Sequence, residues 1–282
     1  MSRPWSTSNA WWRSGTTSSC RRESVSCGRT DFRLSLPGPS MSELTDWQRR
    51  ITRVALDTIG EDGFVLAGSG AIREHGVTDR PTEDVDLFTT SMDSAAFDQA
   101  VERVALAWTD NGLDVSLVRQ SPLYAQFSLT TADGYHVDVD MGVDWRGYEP
   151  ARLEVGPVLS VRDAIAAKVG AVYSRAEARD FLDLDAIRAS GKFTDKELLY
   201  IAAERDPGFD RQIFAEQLRR VGLLTPDDVA AYGTNPSGWQ AVQQRCRQWA
   251  QAIATPAQEQ TDLRQQKIAQ VEPDAPWNRS PQ

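Results

Sequence analysis

The run VLAGSGAIREHGVTDRPTEDVDLF, residues 65–88, restricts the possible folds more than any other part of the chain. A short apolar strand over residues 64–67 stops at Gly68-Ser69-Gly70, and a helix is expected from Ala71. A second apolar run, residues 85–88, then carries Asp84 and Asp86 two residues apart. Aspartate is a poor strand former, and a buried carboxylate without a partner is costly. Two on one strand face require solvent or a cation.

Further along, the sequences LDVSLVR (113–119), YAQFSLT (124–130) and YHVDVDM (135–141) read as strands, the last two joined by a hairpin at Asp133-Gly134. In the third of these, His136, Asp138 and Asp140 point one way and Val137, Val139 and Met141 the other. If that strand neighbours the one bearing Asp84 and Asp86, three or four carboxylates converge. Like-charge repulsion makes such a cluster unstable without cations. Two divalent ions held by three aspartates, bridging a triphosphate and an attacking hydroxyl, are the usual purpose of that arrangement. The Gly68-Ser69-Gly70 turn suits the same task, because glycine lets backbone approach a phosphate and a helix N-terminus adds N–H donors.

Composition narrows the partners. The formal charge is −9, and the first forty residues hold six Arg against one Glu and one Asp, a net of +4 that leaves −13 on the rest. Such an acidic body does not offer nucleic acid a broad basic surface. Cys246 is the sole cysteine after residue 40, which excludes a disulfide scaffold and favours a reducing cytoplasm. With only His75 and His136, a metal must be held by carboxylates, which points to Mg²⁺ or Mn²⁺. No apolar run is long enough to span a bilayer, so no membrane partner is expected.

Residues 1–40, with ten Ser, six Arg and three Trp and no hydrophobic periodicity, read as disordered, and Met41 reads as the native start. Residues 41–157 form an α/β segment and 158–254 a helical one. Ser160 with Asp163 and Thr194 with Glu197 have capping-box spacing, and Thr225-Pro226 opens a further helix. The Gln- and Pro-rich tail, 255–282, is expected to fray.

GSGAIREHGVTDRPTEDVDLF resembles the signature of the polymerase-β-like nucleotidyltransferase superfamily: Gly-Ser, a helix, then Asp-x-Asp. The local form Arg80-x-Thr82-x-Asp84-Val85-Asp86-Leu87-Phe88 is closer still to the AbiEii/MenT group of nucleotidyltransferase toxins. Residues 160–187 add that group's Lys motif at Lys168 and its Arg-Asp-x-x-Asp motif at Arg179-Asp180-Phe181-Leu182-Asp183. The resemblance spans roughly residues 41–254. It implies an α+β fold, a mixed nucleotidyltransferase sheet with flanking helices followed by a helical domain.

The same resemblance implies roles. Asp84 and Asp86 would ligate the catalytic metals; Gly68 and Ser69 would hold the nucleotide phosphates. Lys168 would pair with the triphosphate, and Arg179 and Asp183 would complete the pocket from the helical half. Asp140 is favoured as the third carboxylate, with Asp138 on the same face as a substitute. On a continuous helix, Lys168, Arg175, Arg179 and Asp183 fall within about 80° of one another, while Gly170 and YSRAE leave a break equally open. The implied reaction is Mg²⁺- or Mn²⁺-dependent transfer from an NTP to the 3′ end of tRNA. Separately, Arg211, Arg219, Arg220, Arg245 and Arg247 read as a local basic face on the helical half that would guide the acceptor stem. A cognate antitoxin is implied as a partner. Transfer to a small molecule or a protein shares the same core motifs, as does an inactive homologue that only binds a nucleotide or an antitoxin.

Overall fold

The computed structural model describes residues 41–254, except 81 and 83; the readings for residues 1–40 and for the tail lie outside the described residues. In chain order the elements are α1 (Met41–Ile59), β1 (Val65–Leu66), α2 (Gly68–Glu74), β2 (Asp84–Thr89), α3 (Ser94–Asp110), β3 (Asp114–Ser121), β4 (Tyr124–Thr130), β5 (His136–Val143), β6 (Ala151–Leu153) and β7 (Gly156–Val158). Helices follow: α4 (Val161–Ser174), α5 (Ala178–Ala189), α6 (Asp195–Arg205), α7 (Arg211–Arg219), α8 (Asp227–Ala230) and α9 (Pro236–Ala254). Among the described residues no helix is long and apolar enough to cross a membrane.

The seven strands make one mixed sheet in the order β3-β4-β5-β2-β1-β7-β6. β2 and β5 lie side by side and parallel, while β4 pairs antiparallel with both β3 and β5. Alternation of buried and accessible residues is regular in β2, β4 and the first half of β5, so one face of these strands is packed and the other is polar. Helices α1 and α3 pack against each other beside the sheet. Trp108 ties them to it: its indole N–H donates to the Ile51 carbonyl at 3.1 Å, and its ring meets Phe127 edge-on at 5.2 Å. Asp93 caps α3 by accepting from the Ala95 and Ala96 amides, which satisfies donors the helix cannot.

Two details differ from the expectations. Helix α2 begins at Gly68 rather than at Ala71, so the glycine-serine-glycine turn is the first turn of the helix. Strands β6 and β7 were not foreseen, and at three residues each they carry no readable periodicity. They matter because Leu66 in β1 pairs in parallel with Val158, and the Leu159 amide donates to the Leu66 carbonyl at 2.8 Å. That docking delivers the chain to Ser160, the N-cap of α4. Of the two readings of residues 168–183, the broken one holds. Helix α4 ends at Ser174, Ala176 adopts a left-handed φ of 54°, and α5 starts at Ala178.

Candidate active site

Strand register alone assembles the acidic cluster. Asp84 lies opposite Asp138 and Asp86 opposite Asp140 across the parallel β2–β5 ladder. Carboxylate oxygens of Asp84, Asp86 and Asp140 all lie within 4.8 Å of one another. Asp138, one register step toward the strand start, is exposed and stands outside that group. Burial, reinforced by the neighbouring Asp84 charge, pushes the Asp86 carboxyl up to about 7. Burial likewise raises Asp140, against the opposing effect of a hydrogen bond from Tyr124. Arg179 reaches Asp84 at 3.6 Å but is shared with Glu177 at 3.2 Å. Three crowded carboxylates, one of them driven toward its protonated form, are a donor set suited to a hard divalent cation such as Mg²⁺ or Mn²⁺.

The start of α2 is set against this cluster as closely as atoms permit. A Cβ placed on Gly68 would sit 1.7 Å from Asp86 Oδ2, and Gly68 has a φ of +58°, so both space and backbone require glycine.

Beside the cluster lies a second ionic group of different character. The Ser69 hydroxyl accepts from Lys168 Nζ at 2.7 Å and donates to Asp183 Oδ2 at 2.8 Å. Lys168 pairs with Asp183 at 2.8 Å, and Arg80 donates to Asp183 Oδ1 through Nε at 2.8 Å and Nη2 at 2.5 Å. Asp183 is fully buried. Burial alone would raise its carboxyl, but Lys168 and Arg80 outweigh it and hold the group below the usual carboxylate range.

The expected residues therefore divide. Gly68, Ser69, Asp84, Asp86, Asp140, Lys168, Arg179 and Asp183 gather in one place, drawn from α2, β2, β5, α4 and α5. Arg175 is held bidentate by Asp180 at 2.9 and 2.8 Å across the break between α4 and α5, close enough for its charge to act on Asp86 and Arg179. His136 is exposed and bonded to Thr130, and His75 contacts the Leu159 carbonyl. Arg245, one of the arginines expected on a basic face, is clamped by Asp185 through two 2.7 Å bonds.

Two site residues had no assigned role. Arg80 was visible as part of the motif, and the structure attaches it to Asp183. Tyr124 was not visible at all: its phenol donates to Asp140 Oδ1 at 2.8 Å. Only the β4–β5 register, which sets Gln126 opposite Asp140 and Tyr124 two residues on, brings them together.

Residues 51–252 match the family model described as nucleotidyl transferase AbiEii toxin, type IV toxin–antitoxin system. The chain belongs to the AbiEii family. It is a nucleotidyltransferase. Among solved structures, this AbiEii chain is similar to MenT4, a nucleotidyltransferase toxin from Mycobacterium tuberculosis H37Rv, at 17% identity and a TM-score of 0.50, covering 79% of this chain and 89% of that one. It is also similar to JHP933 from Helicobacter pylori, at 16% identity and a TM-score of 0.49, covering 82% and 100%. The likeness to MenT4 establishes the fold. No curated protein matches the AbiEii chain.

Proposed function

We propose that this AbiEii protein transfers a nucleoside monophosphate from an NTP onto the 3′-terminal hydroxyl of an RNA, with tRNA as the acceptor, and that Mg²⁺ or Mn²⁺ is required. The observation that carries this reading is the convergence of Asp84, Asp86 and Asp140 beside the Ser69–Lys168 pair. One group has the charge to hold cations, and the other has the charge to hold phosphates.

Asp84, Asp86 and Asp140 would hold the cation, which when bound supplies charge neutralisation at the triphosphate and a lowered pKa at the acceptor hydroxyl. The acceptor oxygen bonds to the α-phosphorus, the α–β anhydride bond breaks, and pyrophosphate leaves. The hydroxyl proton passes to Asp140. Lys168, within 2.7 Å of the Ser69 hydroxyl, offsets charge on the departing pyrophosphate. The Gly68–Ser69 backbone at the start of α2 orients the phosphates, since its first amides have no partner within the helix. Arg179, already beside Asp84, approaches the nucleotide from the helical side. As a member of a toxin–antitoxin family, the protein would have a cognate antitoxin.

The test is incubation with total tRNA, Mg²⁺ and each labelled NTP in turn, alongside Asp86→Ala. Label on RNA with the wild type only is the expected result. Nucleotide-dependent thermal stabilisation without labelled RNA would overturn the RNA acceptor and direct the search to small molecules or proteins.

A further inference from the structure

Immediately after β5 the chain forms a tethered loop, residues 144–148, on the same sheet face as the carboxylates. The Asp144 amide donates to the Thr89 carbonyl at 3.0 Å, and Arg146 Nη1 donates to the Gly63 carbonyl at 3.1 Å. Asp163, 2% exposed, accepts from the Gly147 and Tyr148 amides at 3.0 Å each. Arg205 donates to Asp144 Oδ2 at 2.6 Å and to the Trp145 carbonyl at 3.2 Å. Burying a carboxylate to fix an external loop is costly unless every oxygen is satisfied, as it is here.

What the loop displays is aromatic. Trp145 is 57% exposed, Tyr148 39%, and Tyr200, one turn from Glu204 on α6, 59%. Guanidiniums lie over the first two rings, Arg205 at 5.8 Å from the Trp145 centroid and Arg162 at 5.2 Å from that of Tyr148. Trp145 is also set against Gly147, where an added Cβ would meet its ring at 2.8 Å. A rigid backbone presenting an exposed indole is a stacking surface already in its binding conformation.

Its position connects it to the reaction. Trp145 shares a shallow recess with Ala67 and Phe88. Ala67 precedes Gly68, and Phe88 follows Asp86 on the same face of β2, about 7 Å along the strand. The chemistry of the surface selects the occupant. Arg205 is neutralised by Asp144 and Arg162 by Glu204, so the patch offers π faces and little net charge. A surface for duplex RNA would need uncompensated cations to follow phosphates. The exposed aliphatic residues, which a protein partner would favour, lie outside this loop: Leu106 in α3, Leu117 and Val118 in β3, Ile213 in α7, and Leu223. Unpaired bases stack on aromatic faces regardless of sequence.

We propose that Trp145, with Tyr148 beside it, is the stacking platform for the unpaired 3′-terminal bases of the acceptor strand. This rests on the RNA-acceptor reading above and adds where and how the strand is held. In an acidic protein, stacking replaces phosphate contacts as the source of acceptor affinity.

The experiment uses the full chain, its Trp145→Ala, Trp145→Phe and Tyr148→Ala variants, and tRNA bearing a single-stranded 3′ end as the labelled acceptor. Trp145→Ala is expected to raise the KM for RNA about tenfold or more, and Phe to restore most of the loss. The melting temperature of the Trp145 variants is expected to stay near the wild-type value, because that side chain is exposed. Tyr148→Ala also loses the 2.8 Å bond from its phenol to Glu204. The nucleotide-dependent shift is expected to be unchanged in every variant. If both alanine variants label RNA with an unchanged KM, or if the loss falls on the KM for NTP, the platform is overturned while the RNA reading stands. If the wild type labels no RNA, both fall together.

Discussion

Two ionic groups meet at Ser69, and they are built on opposite principles. In the group of Lys168, Asp183 and Arg80, opposite charges are in direct contact, two cations on one carboxylate, and the Ser69 hydroxyl bridges Lys168 and Asp183. In the group of Asp84, Asp86 and Asp140, like charges are crowded together; Arg179 pairs directly with Asp84 alone, at 3.6 Å, and offsets Asp86 and Asp140 only from farther away. The first group keeps one positive charge in excess, which suits a phosphate; the second keeps an excess of negative charge, which suits a cation. One fold can carry both because they come from different sources of order. Helix packing of α2, α4 and α5 makes the first, and strand register makes the second.

The largest expected effect lies in the crowded group. Asp86→Ala removes the carboxylate central to both neighbours, and nucleotidyl transfer should fall by on the order of 10³-fold or more, as losses of transition-state charge stabilisation do. Single-turnover labelling of RNA would measure it. Retention of more than a tenth of the activity would break the assignment of the triad as the catalytic centre.

Next is the compensated group, where the effect is on stability. Asp183→Ala leaves buried Lys168 and half-buried Arg80 without their shared carboxylate and should cost about 3 kcal/mol, read by chemical denaturation. Its pH dependence has a definite sign. A carboxyl held below its unfolded value of about 3.9 contributes stability that is present above that pH and is lost as pH falls through the lower folded value. The gap between wild type and Asp183→Ala should therefore narrow below about pH 4. A gap that persists unchanged into acid would mean Asp183 acts through packing and not through its charge.

Asp86→Asn, which removes a charge and no heavy atom, makes the opposite prediction. Removing one of three crowded charges should stabilise the metal-free protein by about 2 kcal/mol at pH 8. The same variant should lose the stabilisation that millimolar Mg²⁺ gives the wild type. Differential scanning with and without EDTA would show both effects. If Asp86→Asn destabilised the metal-free protein instead, the two groups would not differ in kind.

The sequence made these groups unequally legible. Asp84 and Asp86 could be read because strand alternation has a period of two and needs only local information; the choice of Asp140 over Asp138 came from the family resemblance. The adjacency of the two strands is non-local, so the strand pattern leaves it as a condition, which the parallel β2–β5 pairing meets. Lys168 and Asp183 were legible as motif residues, but the geometry joining them was not. A continuous helix would have placed Arg175 on the same stripe, whereas Ala176 takes a left-handed conformation that its residue type does not announce. Strands β6 and β7 were illegible for lack of length. Trp145 was invisible as a functional residue because a loop has no period, and its exposure depends on anchors as distant as Asp163 and Arg205.

Tyr124 gives the smallest and sharpest test of the comparison, since it brings the one neutral donor described for the triad. Its phenol holds Asp140 Oδ1 at 2.8 Å, which fixes the rotamer and leaves Oδ2 turned to other partners. Burial and the bond to Asp140 both push the phenol's own pKa up, so it stays a donor throughout the working pH range. Asp138 has no such restraint among the described hydrogen bonds, which separates two carboxylates that alternation alone leaves equivalent. Tyr124→Phe keeps the ring and removes the donor. A hydrogen bond to a charged acceptor contributes about 1.5 kcal/mol, so Mn²⁺ affinity and kcat should each fall roughly tenfold while the fold is retained. Asp138→Asn should change both far less. Equal losses from Asp138→Asn and Tyr124→Phe would mean that the third carboxylate is shared between the two positions and that the tyrosine does not choose it.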